Sequence, residues 1–174
     1  MFARYSLIRK RIILFLCLIY KSFLEKKYFL KGTCLIAVMI VDIMESMKTT
    51  RVVAAILEKE GKILIARRLY GEQKDLWEFP GGKYEEGETG EEAIRREIEE
   101  EFDSEIEVRE LLCTVEHQYD SFYLIMDCYI CAFKTENIHL HDHSAIRWID
   151  PKEEGIEWVP ADRKVIKKYL ESRR

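Results

Sequence analysis

From position 51 onward, apolar residues fall in short runs separated by polar turns, and the spacing within the runs changes along the chain. Residues 51–57 and 62–68 are rich in Val, Ile and Leu and predict two strands, with Glu58-Lys59-Glu60-Gly61 as the hairpin turn. Alternation sets Leu64, Ala66 and Arg68 on one face and Ile63, Ile65 and Arg67 on the other. Residues 70–75 are polar and predict a loop. Leu76-Trp77-Glu78-Phe79-Pro80 follows, and Pro80 ends its extended run. In residues 89–102 the period lengthens. Ile94, Ile98 and Phe102 recur every four positions and mark the buried stripe of a helix. Thr89 and Glu92 stand at capping-box spacing. Residues 105–119 and 122–134 predict strands around a turn at Asp120-Ser121, and residues 145–149 predict another. Pro151 predicts a short helical turn, and Asp162 predicts the cap of a helix running to about Ser172. Strands on both sides of one helix, then a terminal helix, predict an α+β sandwich on a mixed sheet.

Residues 1–47 follow a different design. Residues 12–20 are apolar behind Arg9-Lys10-Arg11, and residues 33–41 form a second apolar run. Both are shorter than the roughly 18 residues that span a bilayer. The first resembles a signal-peptide core, but no small-residue cleavage site follows closely. A membrane-associating extension, a packed accessory helix and a start placed ahead of the true one at Met44 or Met47 remain open. The last is favoured, because the globular pattern begins abruptly near Thr50. The expected division is an extension over 1–47 and one domain over 48–174, with no membrane contact.

Charge divides at the same place. Residues 1–47 hold 8 Lys/Arg against 3 Asp/Glu, and residues 48–174 hold 20 against 29, so the net charge goes from +5 to −9. An acidic body argues against a nucleic-acid polymer as partner. Five cysteines are expected as reduced thiols of a cytoplasmic protein. Cys128 and Cys131 fall in a predicted strand, where residues three apart face opposite sides and share no metal. His139, His141 and His143 alternate and would project from one side of a strand, but no further ligand stands at zinc spacing.

The candidate chemistry lies in Gly81-Gly82-Lys83-Tyr84-Glu85-Glu86-Gly87-Glu88 and the helix after it. Glu97, Glu100 and Glu101 share a helix face at i, i+3 and i+4, where like charges repel. A bound divalent cation relieves that repulsion, and hard oxygen ligands suit Mg2+ or Mn2+.

Gly82, Glu88, Arg96-Glu97-Ile98 and Glu100-Glu101, at these spacings, resemble the box of the Nudix hydrolases. The pattern departs at Asp103-Ser104, where the family carries Gly and an aliphatic residue, and this puts the helix end in question. The resemblance covers roughly residues 50–170. It implies an α/β/α sandwich with one catalytic loop-helix, and a nucleotide as the small-molecule partner of a monomer or homodimer. It implies metal ligands at Gly81 (through its carbonyl), Glu97, Glu100 and Glu101, with Glu88 supporting the metal shell. Arg96 would orient Glu97 or hold the loop. Glu97 and Asp142 are both candidates for the general base, Asp142 because it stands six residues before Trp148. Arg68, Lys83 and Asp162 are the implied substrate contacts. An ionised Asp162 accepts only, and so would favour a base with an exocyclic amine. Within the family a MutT-like activity is favoured: hydrolysis of 8-oxo-dGTP or a cytidine nucleotide to monophosphate and pyrophosphate, keeping DNA precursors clean. Another nucleoside diphosphate-X substrate and a non-catalytic nucleotide sensor are the alternatives.

Overall fold

A computed structural model of the chain describes residues 48–135 and 138–174. The expected extension over residues 1–47 lies outside the described residues. The elements are β1 (Lys48–Lys59), β2 (Lys62–Arg68), β3 (Trp77–Glu78), α1 (Gly90–Phe102), β4 (Ile106–Gln118), β5 (Phe122–Phe133), β6 (His143–Ile149) and α2 (Asp162–Ser172). The six strands form one sheet in the order β3-β2-β1-β5-β4, with β6 paired to β2. The pairs β1–β2, β2–β3, β2–β6 and β4–β5 are antiparallel. A parallel bridge joins Trp77 to Trp158.

Two apolar cores sandwich this sheet, and strand alternation builds both. Ala54, Ile56, Ile63 and Ile65 face α2, where Val165, Ile166 and Tyr169 meet them. Val53, Ala55, Leu57, Leu64 and Ala66 face α1, where Ile94, Ile98 and Phe102 close the second core. Each Val, Leu, Ile and Phe side chain among them contributes about 1.5–3 kcal/mol on burial. Cys128 lies in the first core and Cys131 in the second, on opposite faces as strand geometry requires.

Local signals held where they are short-range. Glu60 and Gly61 both take positive φ, 50° and 76°, which suits a two-residue hairpin turn. Thr89 caps α1: its Oγ1 accepts from Glu92 N, and Glu92 Oε2 accepts from Thr89 N at 2.8 Å. Asp103 adopts the left-handed conformation at φ 52° and ends α1 where the family pattern has glycine. Two expectations are corrected. Pro151 enters a turn without a helix, closed by Glu153 N donating to Asp150 O. His139 and His141 precede β6, so only His143 belongs to a strand. Among the described residues no three His, Cys, Asp or Glu side chains form a ready-made metal cage.

Candidate active site

The loop before α1 lies along β1 because its backbone pairs there. Ala55 N donates to Pro80 O and Val53 N donates to Gly82 O, both at 2.8 Å. Gly81 has φ 146°, and a Cβ on it would sit 2.2 Å from Val53 O, so this approach needs glycine. Gly82 serves a different purpose. A Cβ there would lie 2.2 Å from Glu97 Oε2, so the missing side chain lets Glu97 rest against the loop. Tyr84 anchors the far side by donating to Asp127 Oδ2 at 2.7 Å. Asp127 also accepts from Thr114 and Arg51.

Arg96 joins loop to helix. Its Nε and Nη2 donate to the two oxygens of Glu88 at 2.7 and 2.9 Å, and Nη2 also reaches Lys83 O. The Arg96 pair, with the Glu85 N–H, holds the Glu88 carboxyl down at about 2. Arg96 Nη1 donates to Glu97 Oε1 at 3.0 Å and to Glu100 Oε2 at 3.2 Å. The same guanidinium thus holds the loop and orients Glu97. Burial raises the Glu97 carboxyl against the pull of Arg96.

Glu101 points inward from α1 and is 7% exposed. Its Oε2 accepts from Gly81 N at 3.1 Å. Burial, with Glu78 and Glu97 nearby, lifts its carboxyl well above the usual range. Such a group favours either a proton or a cation. Glu78 pairs with Arg68 Nη1 through one oxygen and meets His143 Nε2 at 3.2 Å through the other.

A cavity of about 500 Å³ opens over these groups. Glu97, Glu101, Gly81, Gly82 and Lys83 line it, together with Arg68, Tyr119 and Asp162. Asp142 lines it too, accepting from Tyr70 Oη at 3.0 Å. Tyr119 stacks on Phe122 with ring centroids 4.7 Å apart, giving the cavity an aromatic wall. Of the sequence-derived residues, only Arg96, Glu88 and Glu100 stand outside the lining, and Arg96 ties the other two to Glu97.

Asp162 differs from its expected role. Ala161 is the cap of α2 and makes no side-chain capping bond. Asp162 is the first helical residue, 4% exposed, and its Oδ1 accepts from Phe79 N at 2.8 Å. Burial pushes its carboxyl up to about 8. Below that pH it keeps a proton and donates as well as accepts, so the acceptor-only premise fails. Sequence reasoning missed Glu78, Tyr119, Asp127 and the placement of His143. A charged residue between Trp77 and Phe79 was the one visible signal.

The fold and this loop-helix define a class, and the comparisons agree. The NUDIX domain model matches residues 47–169, and the chain belongs to that family. It is 33% identical over 127 residues to the CTP pyrophosphohydrolase of Escherichia coli (strain K12), covering 71% of this chain and 93% of that protein. It is 33% identical over 88 residues to the 8-oxo-dGTP diphosphatase of Proteus vulgaris, covering 50% and 79%. The solution structure of the E. coli ORF135 protein superimposes with a TM-score of 0.64 at 32% identity, over 74% of this chain and 94% of that one.

Proposed function

We propose that this chain hydrolyses nucleoside triphosphates, with a cytidine nucleotide or 8-oxo-dGTP as the favoured substrate, releasing monophosphate and pyrophosphate to keep the cytoplasmic nucleotide pool clean. One observation carries the reading: Glu97 and Glu101 lie against the Gly81-Gly82 backbone in a cavity that Asp162 and an aromatic wall also line. The relatives' activities support it.

The residues fit a hard divalent cation. Glu97, Glu100, Glu101 and the Gly81 carbonyl are the oxygen donors that would hold Mg2+ or Mn2+. Bound there, the cation would neutralise polyphosphate charge and activate water. Arg96 and Glu88 support the loop, so Glu88 acts through Arg96. Lys83 and Arg68, which line the cavity, would meet phosphate or base. Asp142, on the cavity wall, would take a proton from water, and Glu97 is the competing base.

The test is pyrophosphate release from CTP, dCTP, 8-oxo-dGTP, UTP and dTTP, and AMP release from ADP-ribose, each with and without Mg2+. Cation-dependent turnover of a triphosphate, abolished by EDTA, is expected. Turnover of ADP-ribose alone would replace the triphosphate reading with a nucleoside diphosphate-X one.

A further inference from the structure

His143 has no role in the function above, yet it stands between two of its carboxylates. Its side chain is 4% exposed, with Nε2 3.2 Å from Glu78 Oε1 and 3.9 Å from Glu101 Oε1. Glu78, held by Arg68, accepts only, so Nε2 carries the proton and donates to it. Nδ1 is buried with no hydrogen-bond partner among the described residues. The ring stacks on Phe102 at 5.8 Å between centroids, and its backbone is paired with Arg68 across β2 and β6. One nitrogen is left unsatisfied while the other is aimed at the carboxylates.

Each carboxylate is held at its other oxygen as well. Glu78 takes Arg68, and Glu101 takes the Gly81 N–H. His143 therefore closes a chain of contacts running Arg68, Glu78, His143, Glu101, Gly81. We propose that His143 is a positioning residue of the cation site: its Nε2–H fixes Glu78 and, standing between the two carboxylates, keeps Glu101 directed at the cation. This role rests on Glu101 being a metal ligand. With an apolar side chain at 143, no donor would stand between Glu78 and Glu101, and Glu101 would be free to turn from the site.

The experiment is a Mn2+ titration of the full-length protein without nucleotide, read by the electron paramagnetic resonance of free Mn2+. Groups that orient metal ligands typically change affinity about 10–100-fold. His143→Leu is expected to weaken Mn2+ binding about tenfold or more. His143→Gln, whose amide keeps a donor near the Nε2 position, is expected to stay within roughly threefold of wild type, well short of that loss. His143→Asn, too short to place a donor there, is expected to lose as much as Leu and serves in its place if Leu does not fold. Wild-type affinity in Leu or Asn would overturn the proposal. Equal loss in Gln and Leu would also overturn it, because ring packing on Phe102 would then be the cause. A wild-type protein that binds no Mn2+ would instead remove the cation reading itself.

Discussion

Asp162 is a carboxyl whose environment opposes its charge. The folded chain holds its proton up to about pH 8, whereas an unfolded Asp releases it near 3.9. Between those values the folded state binds the extra proton, so Asp162 makes stability fall as pH rises through the window, with no further loss above it. Asp162→Asn keeps an acceptor for the Phe79 N–H and has no proton to lose. Its Tm is expected to track wild type near pH 4 and to exceed it by a margin that grows up to about pH 8, where it levels off. Calorimetry across that range checks this, and a pH-independent offset would rule it out. Base preference should follow the same proton. Rejection of UTP relative to CTP is expected to sharpen as pH passes about 8, because an ionised Asp162 then offers acceptors only. The sequence showed Asp162 as a candidate base contact but hid its burial. Its hydrogen-bond partner, the Phe79 N–H, is 83 residues away. Glu97 and Glu100 pose the simpler case. Glu97→Gln and Glu100→Gln are each expected to lower turnover on the order of 100-fold, the usual scale for losing one charge-stabilising group. Burial raises the Glu97 carboxyl, so its amide should leave Tm equal or higher.

The loop and α1 act as one element because two adjacent glycines meet different neighbours. An added Cβ at Gly82 meets the mobile end of Glu97, which can turn aside, whereas one at Gly81 meets the backbone of β1. Gly82→Ala is therefore expected to keep its melting temperature and lose most turnover, since Glu97 is displaced. Gly81→Ala is expected to lower Tm by several degrees, because φ 146° and the Val53 contact strain the strand pairing. Paired melting curves and kinetics separate the two; equal Tm losses would contradict the assignment. The sequence exposed the start and buried face of α1 well, because capping box and apolar stripe are local, but it left in question the helix end, which Asp103 makes by taking the left-handed conformation. It exposed the supports poorly. Tyr84 is held by Asp127 from β5, and the two-residue β3 carries no periodicity to detect.

For the whole molecule, burial on both faces explains why β1 and β2 read as nearly continuous apolar runs. The strands and their faces were legible on that ground. The cavity was not, because it gathers Arg68, Glu78, Asp142 and Asp162 from segments that share no local pattern. The same architecture bears on residues 1–47. Among the described residues the two cores are built from residues 52–170, with a helix on each face of the sheet. The matched family model begins at residue 47. A chain begun at Met47 is therefore expected to fold cooperatively, to be monodisperse, and to match the full chain in kcat and KM for its best nucleotide. Light scattering and kinetics on both forms make the comparison. Aggregation of the shorter chain beside a well-behaved full chain would show that residues 1–46 cover apolar surface, which is the accessory-helix alternative. A shorter chain that stays monodisperse but binds nucleotide more weakly would point elsewhere. The segment's net charge of +5 would then be attracting polyphosphate to a body of charge −9, and raising the salt concentration should erase the difference.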